Sequence, residues 1–316
     1  ITIMKDKFSA NSRLWSVRHC REFASFKKYV VNPRNIAFLM QVYRIKDIKI
    51  FYPIDVDATV KTLNEMKNRV DEGQNLYYAL DGKDVGIYPF IIGDNKPFVL
   101  VLPGGGYGDV CSLVEGYSTA LRLNEMGYNA FVGQYSVGKN AHYPNPQDDV
   151  AQMLKYVFDN AKNLSIDTKN YAVCGFSAGG HLAASWGTKT IGYEKYGLPK
   201  PKALFLAYPV ITMGAKTHKG SRKKLLGENC NDVDMQAKYS IEKQVNKDYP
   251  ATFIWQCKSD TVVSFANSVM LVDTLKKCGC KCEFMPVDDK VHGWGLANNT
   301  PAQGWLERAV ELWQER

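Results

Sequence analysis

The chain has 316 residues, enough to bury a full core as one large domain or as a domain with an extension. Hydrophobic residues make up 45% and charged residues 23%, an ordinary globular balance, and no run of about eighteen apolar residues occurs that could span a membrane. The net charge of +8 arises wholly within residues 1–50, which hold eleven Lys/Arg against three Asp/Glu, so a nucleic-acid partner, which would call for basic charge around the working site, is not expected.

In chain order, residues 1–95 read as an N-terminal extension. It carries a basic amphipathic stretch (Leu14, Trp15, Phe23, Phe26, Val30), whose charge reads as the solvated face of an extra helix, and a second helix from about 58 to 70. From 96 onward strand and helix signals alternate, which predicts an α/β fold with a mostly parallel sheet covered on both faces. Phe98–Leu102 is a continuous apolar strand ending in Pro103 and three glycines. A helix follows over Val114–Met126, then a strand over Ala130–Tyr135 and a helix over Val150–Phe158 with Asp148 and Asp149 as a capping pair. Tyr171–Cys174 is the next strand and His181–Trp186 the next helix. Strands over Ala203–Tyr208, Thr252–Gln256 and Cys282–Val287, a helix over 264–277 and a closing helix over Gln303–Gln314 complete the pattern. Residues 209–249 are polar and Lys-rich, and read as a cap-like insertion facing substrate.

Eight cysteines are dispersed along the chain, without the spacing of a disulfide scaffold. Cys278, Cys280 and Cys282 lack the spacing and the fourth ligand of a zinc site, so no metal is expected; Gly279 reads instead as a left-handed helix cap. The chain starts at Ile1 and shows no secretory apolar region, so a cytoplasmic location is the expectation, with an earlier leader left open. Self-association into a homo-oligomer is likewise left open.

The chemistry concentrates in three places. Gly175-Phe176-Ser177-Ala178-Gly179 follows an apolar strand and precedes a helix, the strand–turn–helix setting that exposes a nucleophilic serine on a tight bend. Pro103-Gly104-Gly105-Gly106-Tyr107 follows the first core strand, where glycines let backbone N–H groups approach a substrate carbonyl; Gly105, Gly106 and Ala178 are the expected oxyanion donors. Of five histidines, only His292, in Val291-His292-Gly293-Trp294-Gly295, follows a late strand, so it is the expected base. His181, one helical turn past Ser177, reads as a packed histidine. Asp260, just past a buried strand, is the expected acid, with Asp288 and Asp289 as rivals. Tyr107 and Trp294 are expected to line the substrate pocket.

These motifs resemble the α/β-hydrolase superfamily, in its esterase/lipase branch with acetyl-xylan and feruloyl esterase-like proteins. The resemblance also rests on Glu115-Gly116-Tyr117, Gly127-Tyr128-Asn129-Ala130, Leu225-Leu226-Gly227 and Val262-Val263, and it covers 95–316. It implies ester hydrolysis through an acyl-enzyme on a small-molecule ester, without metal or organic cofactor. Pro103 stands where one branch has His, which points to the carbohydrate-esterase-like group, and Tyr135-Ser136 replaces a frequent Tyr-Arg. Two rivals remain at this stage: an arylformamidase or exopeptidase on the same fold, and a catalytically silent binding protein.

Overall fold

A computed structural model describes residues 7–31, 41–80 and 84–315. One eight-stranded sheet runs through it in the order β1-β2-β4-β3-β5-β6-β7-β8. The strands are β1 (Tyr78–Leu80), β2 (Val85–Phe90), β3 (Lys96–Leu102), β4 (Asn129–Gln134), β5 (Ile166–Phe176), β6 (Ala203–Ala207), β7 (Ala251–Cys257) and β8 (Cys282–Val287). β1 and β2 pair antiparallel, and every pairing from β4 to β8 is parallel. The helices are α1 (Leu14–Arg18), α2 (Lys27–Val30), α3 (Val56–Asp71), α4 (Tyr117–Glu125), α5 (Asn145–Asp159), α6 (Ala161–Leu164), α7 (Ser177–Trp186), α8 (Lys219–Leu226), α9 (Val233–Tyr239), α10 (Ala266–Lys277) and α11 (Trp305–Gln314). Among the described residues, no helix is long and apolar enough to cross a membrane.

The central strands are apolar at every position because both faces are covered. Alternate residues of β3 enter different cores: Val99 and Val101 join α4 and α11, while Phe98, Leu100 and Leu102 join α5, α7 and α10. α11 shows the matching helical spacing, burying Trp305, Leu306, Ala309, Val310, Leu312 and Trp313 along one stripe. Burying each of these large side chains is worth about 1.5–3 kcal/mol.

Two expectations change. The sheet begins before 96, because residues 78–90 of the N-terminal extension supply β1 and β2. Asp148 and Asp149 do not cap α5, which starts earlier, at Asn145. Asp148 accepts the Tyr196 hydroxyl instead, and buried Asp149 accepts the Ser136 N–H at the end of β4. The strand expected over Cys282–Val287 forms there, and Gly279 takes the left-handed cap conformation with φ +69°. Cys280 donates its thiol to the Asn246 carbonyl.

Candidate active site

Ser177 is the first residue of α7 and directly follows Phe176, the last residue of β5, with φ +51°. That left-handed backbone is rare for a residue with a side chain, and it is held by close packing of the bend. A Cβ on Gly179 would lie 2.2 Å from the Leu102 carbonyl oxygen, so only glycine lets α7 start this close to β3. Ser177 itself is 8% exposed, enough to present its hydroxyl at the strand ends.

His292 arrives on the loop after β8 and puts Nε2 at 2.8 Å from Ser177 Oγ, across 115 positions of sequence. A Cβ on Gly293 would stand 2.2 Å from the Tyr208 ring, so the glycine is what allows the loop past that ring. Nδ1 lies 2.8 Å from Asp260 Oδ2, whose side chain is fully buried. Facing a carboxylate, Nδ1 carries the proton, which leaves Nε2 to accept from the Ser177 hydroxyl. Asp260 is held in turn by the N–H groups of Val262 and Val263 on Oδ1 and by Gln256 Nε2 on Oδ2. The rivals lie elsewhere: Asp289 accepts from the Lys290 and Val291 N–H groups, and Asp288 pairs with Lys258 at the surface. A hydroxyl on a neutral imidazole backed by a carboxylate can give up its proton as it attacks a carbonyl.

The Pro103–Tyr107 loop lies beside Ser177. Among the described residues, the N–H groups of Gly105, Gly106 and Ala178 donate to no protein acceptor. Ala178 is in the first turn of α7, where N–H groups lack helical partners and favour negative charge. Tyr107 departs from expectation. Its φ of +57° turns the ring inward, it is fully buried, and its hydroxyl is spent on His181 Nδ1 at 2.8 Å, so it does not line the pocket. His181 is likewise fully buried, with Nε2 donating to the Tyr239 carbonyl, and burial holds its imidazole down at about 4.

Trp294 is partly exposed and stacks flat on Trp255, with centroids 5.9 Å apart and planes at 6°. It lines a cleft of about 470 Å³ together with residues 53–57 of the N-terminal segment and Asn298, Asn299 and Thr300.

Sequence reasoning missed the support behind these groups. Glu115, buried, accepts the Gly104 N–H at 2.6 Å and the Tyr208 hydroxyl at 2.9 Å. Burial raises its carboxyl above the ordinary value, against the pull of those two donors. The Tyr208 ring packs edge-on at 5.0 Å from the His292 ring, and its hydroxyl also accepts the Gly295 N–H. One buried pair thus ties the Gly104 loop to the His292 loop. The only signal was Glu115-Gly116-Tyr117 itself, because the partner lies 93 positions away.

The family described as BD-FAE matches residues 87–275, a span that includes Ser177 and Asp260 and ends before His292. Endo-1,4-beta-xylanase B of Butyrivibrio fibrisolvens is 32% identical over 76% of this chain and 39% of its own length. Acetylxylan esterase of Xylanibacter ruminicola is 30% identical over 69% of this chain and 44% of its own length. The chain therefore spans less than half of each of these relatives. An acetyl ester-xyloside bifunctional hydrolase from Caldicellulosiruptor lactoaceticus has a similar structure, with TM-score 0.65 at 32% identity over 73% of this chain and 88% of that one. With the sheet order, the bend at Ser177 and these matches together, the chain belongs to the BD-FAE family of esterase-like α/β-hydrolases.

Proposed function

We propose that the chain is a serine carboxylic-ester hydrolase acting through an acyl-enzyme on small acyl esters of carbohydrates. The observation that carries this reading is the pair of 2.8 Å contacts running from Ser177 Oγ through His292 to Asp260. In the first step Ser177 Oγ attacks the ester carbonyl as His292 Nε2 takes its proton. The charge that develops on the carbonyl oxygen meets the N–H groups of Gly105, Gly106 and Ala178, and each such donor is worth about 3 kcal/mol in a transition state. His292 then protonates the departing alkoxide as the C–O bond breaks. Water repeats the attack on the acyl-serine, with His292 first accepting and then returning a proton. Asp260 holds the imidazole in register and stabilises its cationic form.

The alcohol part is read as a sugar. An acetylxylan esterase and a xylanase stand among the relatives. The cleft lined by Trp294, two positions after His292 in the sequence, offers that aromatic face and polar side chains from Lys49, Asp55, Asp57, Asn298 and Asn299. An aromatic plate with polar groups at its edge suits a neutral polyol.

Ser177→Ala should lower turnover of p-nitrophenyl acetate by about 10⁴-fold or more and abolish labelling by a fluorophosphonate, with an unchanged melting temperature. Full turnover in that variant would remove Ser177 from the chemistry.

A further inference from the structure

His218, within the 209–249 insertion, has a role left over after the relay is assigned. It is the N-cap of α8: Nδ1 accepts the Ser221 backbone N–H at 3.3 Å and faces the Ser221 hydroxyl at 2.8 Å. A neutral imidazole that accepts at Nδ1 must carry its proton on Nε2. Helix capping therefore selects the tautomer. Among the described residues, that Nε2–H has no protein acceptor, although the side chain is half-buried.

The ring stands against the oxyanion loop. A Cβ placed on Gly106 would lie 3.6 Å from His218 Cε1 and 3.9 Å from Ser221 Oγ, both ordinary contact distances. His218 is also within electrostatic reach of Asp260 and His292. Burial and the neighbouring His292 outweigh Asp260 and hold the imidazole below its usual range, so it stands there as a neutral donor.

We infer that His218 touches the substrate, its Nε2–H donating to an oxygen of the ester bound against Gly106. This contact rests on the ester-hydrolase reading. A donor already fixed by a cap needs no reorganisation when substrate arrives, and being uncharged it does not trap the carboxylate product as a cation would. The insertion thereby supplies a substrate contact of its own across from the glycine loop.

Two substitutions separate this from simple helix capping. His218→Asn keeps an oxygen where Nδ1 accepts and removes everything at Nε2, whereas His218→Gln keeps an amide N–H near Nε2 and gives up the cap. The measurements are melting temperature and kcat/KM on p-nitrophenyl acetate and on an acetylated pentopyranoside. His218→Asn should melt with the parent yet lose about 10-fold or more in kcat/KM on the acetylated sugar, and His218→Gln should recover part of that loss. A matching loss on the aryl ester places the contact on the carbonyl oxygen; a loss on the sugar alone places it on the alcohol. Parental rates for His218→Asn on both esters would overturn the inference and leave His218 a cap. Should His218→Asn fail to fold, His218→Gln decides alone: rates no better than those of His218→Ala would overturn it. A parent enzyme silent toward both esters and unlabelled by fluorophosphonate would overturn the ester-hydrolase reading itself, and this contact with it.

Discussion

The ends of the central strands and the segment before β1 are held together in different ways. Around Ser177 and His292, each group is fixed by directional hydrogen bonds: Asp260 alone accepts from Val262, Val263, Gln256 and His292. Before β1, buried rings pack on one another and on the sheet. Phe26 lies 5.4 Å from Phe23 and meets Tyr88 edge-on at 5.4 Å; Tyr88 in turn meets Tyr117 edge-on at 5.0 Å. Directional bonds set a geometry to a fraction of an ångström, whereas packed rings supply burial and tolerate small shifts. The first region should therefore fail in chemistry when damaged, and the second in stability.

The sharpest way to break that division is Asp260→Asn. The new amide keeps an oxygen for Val262 and Val263, so the β7 loop should survive. Its NH₂ would then face two donors, Gln256 Nε2 and His292 Nδ1–H. The imidazole escapes by moving its proton to Nε2, where it can no longer accept from Ser177. On the ester-hydrolase reading, kcat should fall by about 10⁴-fold with a melting temperature close to that of the parent. A parental rate would show that the carboxylate does not select the tautomer.

The reverse experiment is Phe26→Ala. Phe26 is 1% exposed, and removing a buried ring of this kind costs about 3–5 kcal/mol. Urea titration should show that loss, while kcat on p-nitrophenyl acetate, measured where the protein is still folded, should stay within about twofold of the parent, since only stability has been touched. Trp15→Ala is the control on the same stretch. Trp15 is 46% exposed and, among the described residues, stacks on His19 alone, so its loss should stay within about 0.5 kcal/mol. Equal losses from Phe26 and Trp15 would mean that the segment is not anchored by its buried rings.

The same contrast decides what could be read in the sequence. Ser177 and its flanking glycines are visible because a bend that tight needs particular residues at adjacent positions. His292 and Asp260 were legible from their order after a late strand and a buried strand. Tyr107 was misread because its place after the glycines suggests a pocket wall, while its positive φ, invisible in sequence, sends the ring to His181. β2 escaped notice because Gly86 and Pro89 argue against a strand, and it forms because β4 offers it a complete register. Glu115 and Tyr208 were illegible as a pair, since nothing local in either stretch points to the other. His218 drew no attention because it precedes a short helix in a polar, Lys-rich interval, and only its place beside Gly106 gives it meaning.

Glu115 sits where the two regions meet, and it should behave partly like each. It follows Val114 in the turn leading into α4, whose Tyr117 packs on Tyr88, yet its oxygens hold the Gly104 loop and Tyr208. Its folded carboxyl titrates above the ordinary 4.5, chiefly through burial. A raised acid pKa means that the unfolded chain loses this proton first, so the contribution of the group to stability is complete below about 4.5 and declines as pH rises toward the folded value. Glu115→Gln cannot titrate. Its amide can still accept from Gly104 through oxygen and donate to the Tyr208 hydroxyl, so the loop should stay in place. Stability of the parent relative to this variant should therefore decrease as pH is raised above 4.5, by at most about 1.4 kcal/mol per pH unit for a single proton, and level off at higher pH. Urea titrations of both proteins from acid to neutral pH measure that difference directly. A difference that stays flat would show that burial does not govern this carboxyl, and one that grows in the parent's favour would show that the donors from Gly104 and Tyr208 outweigh burial.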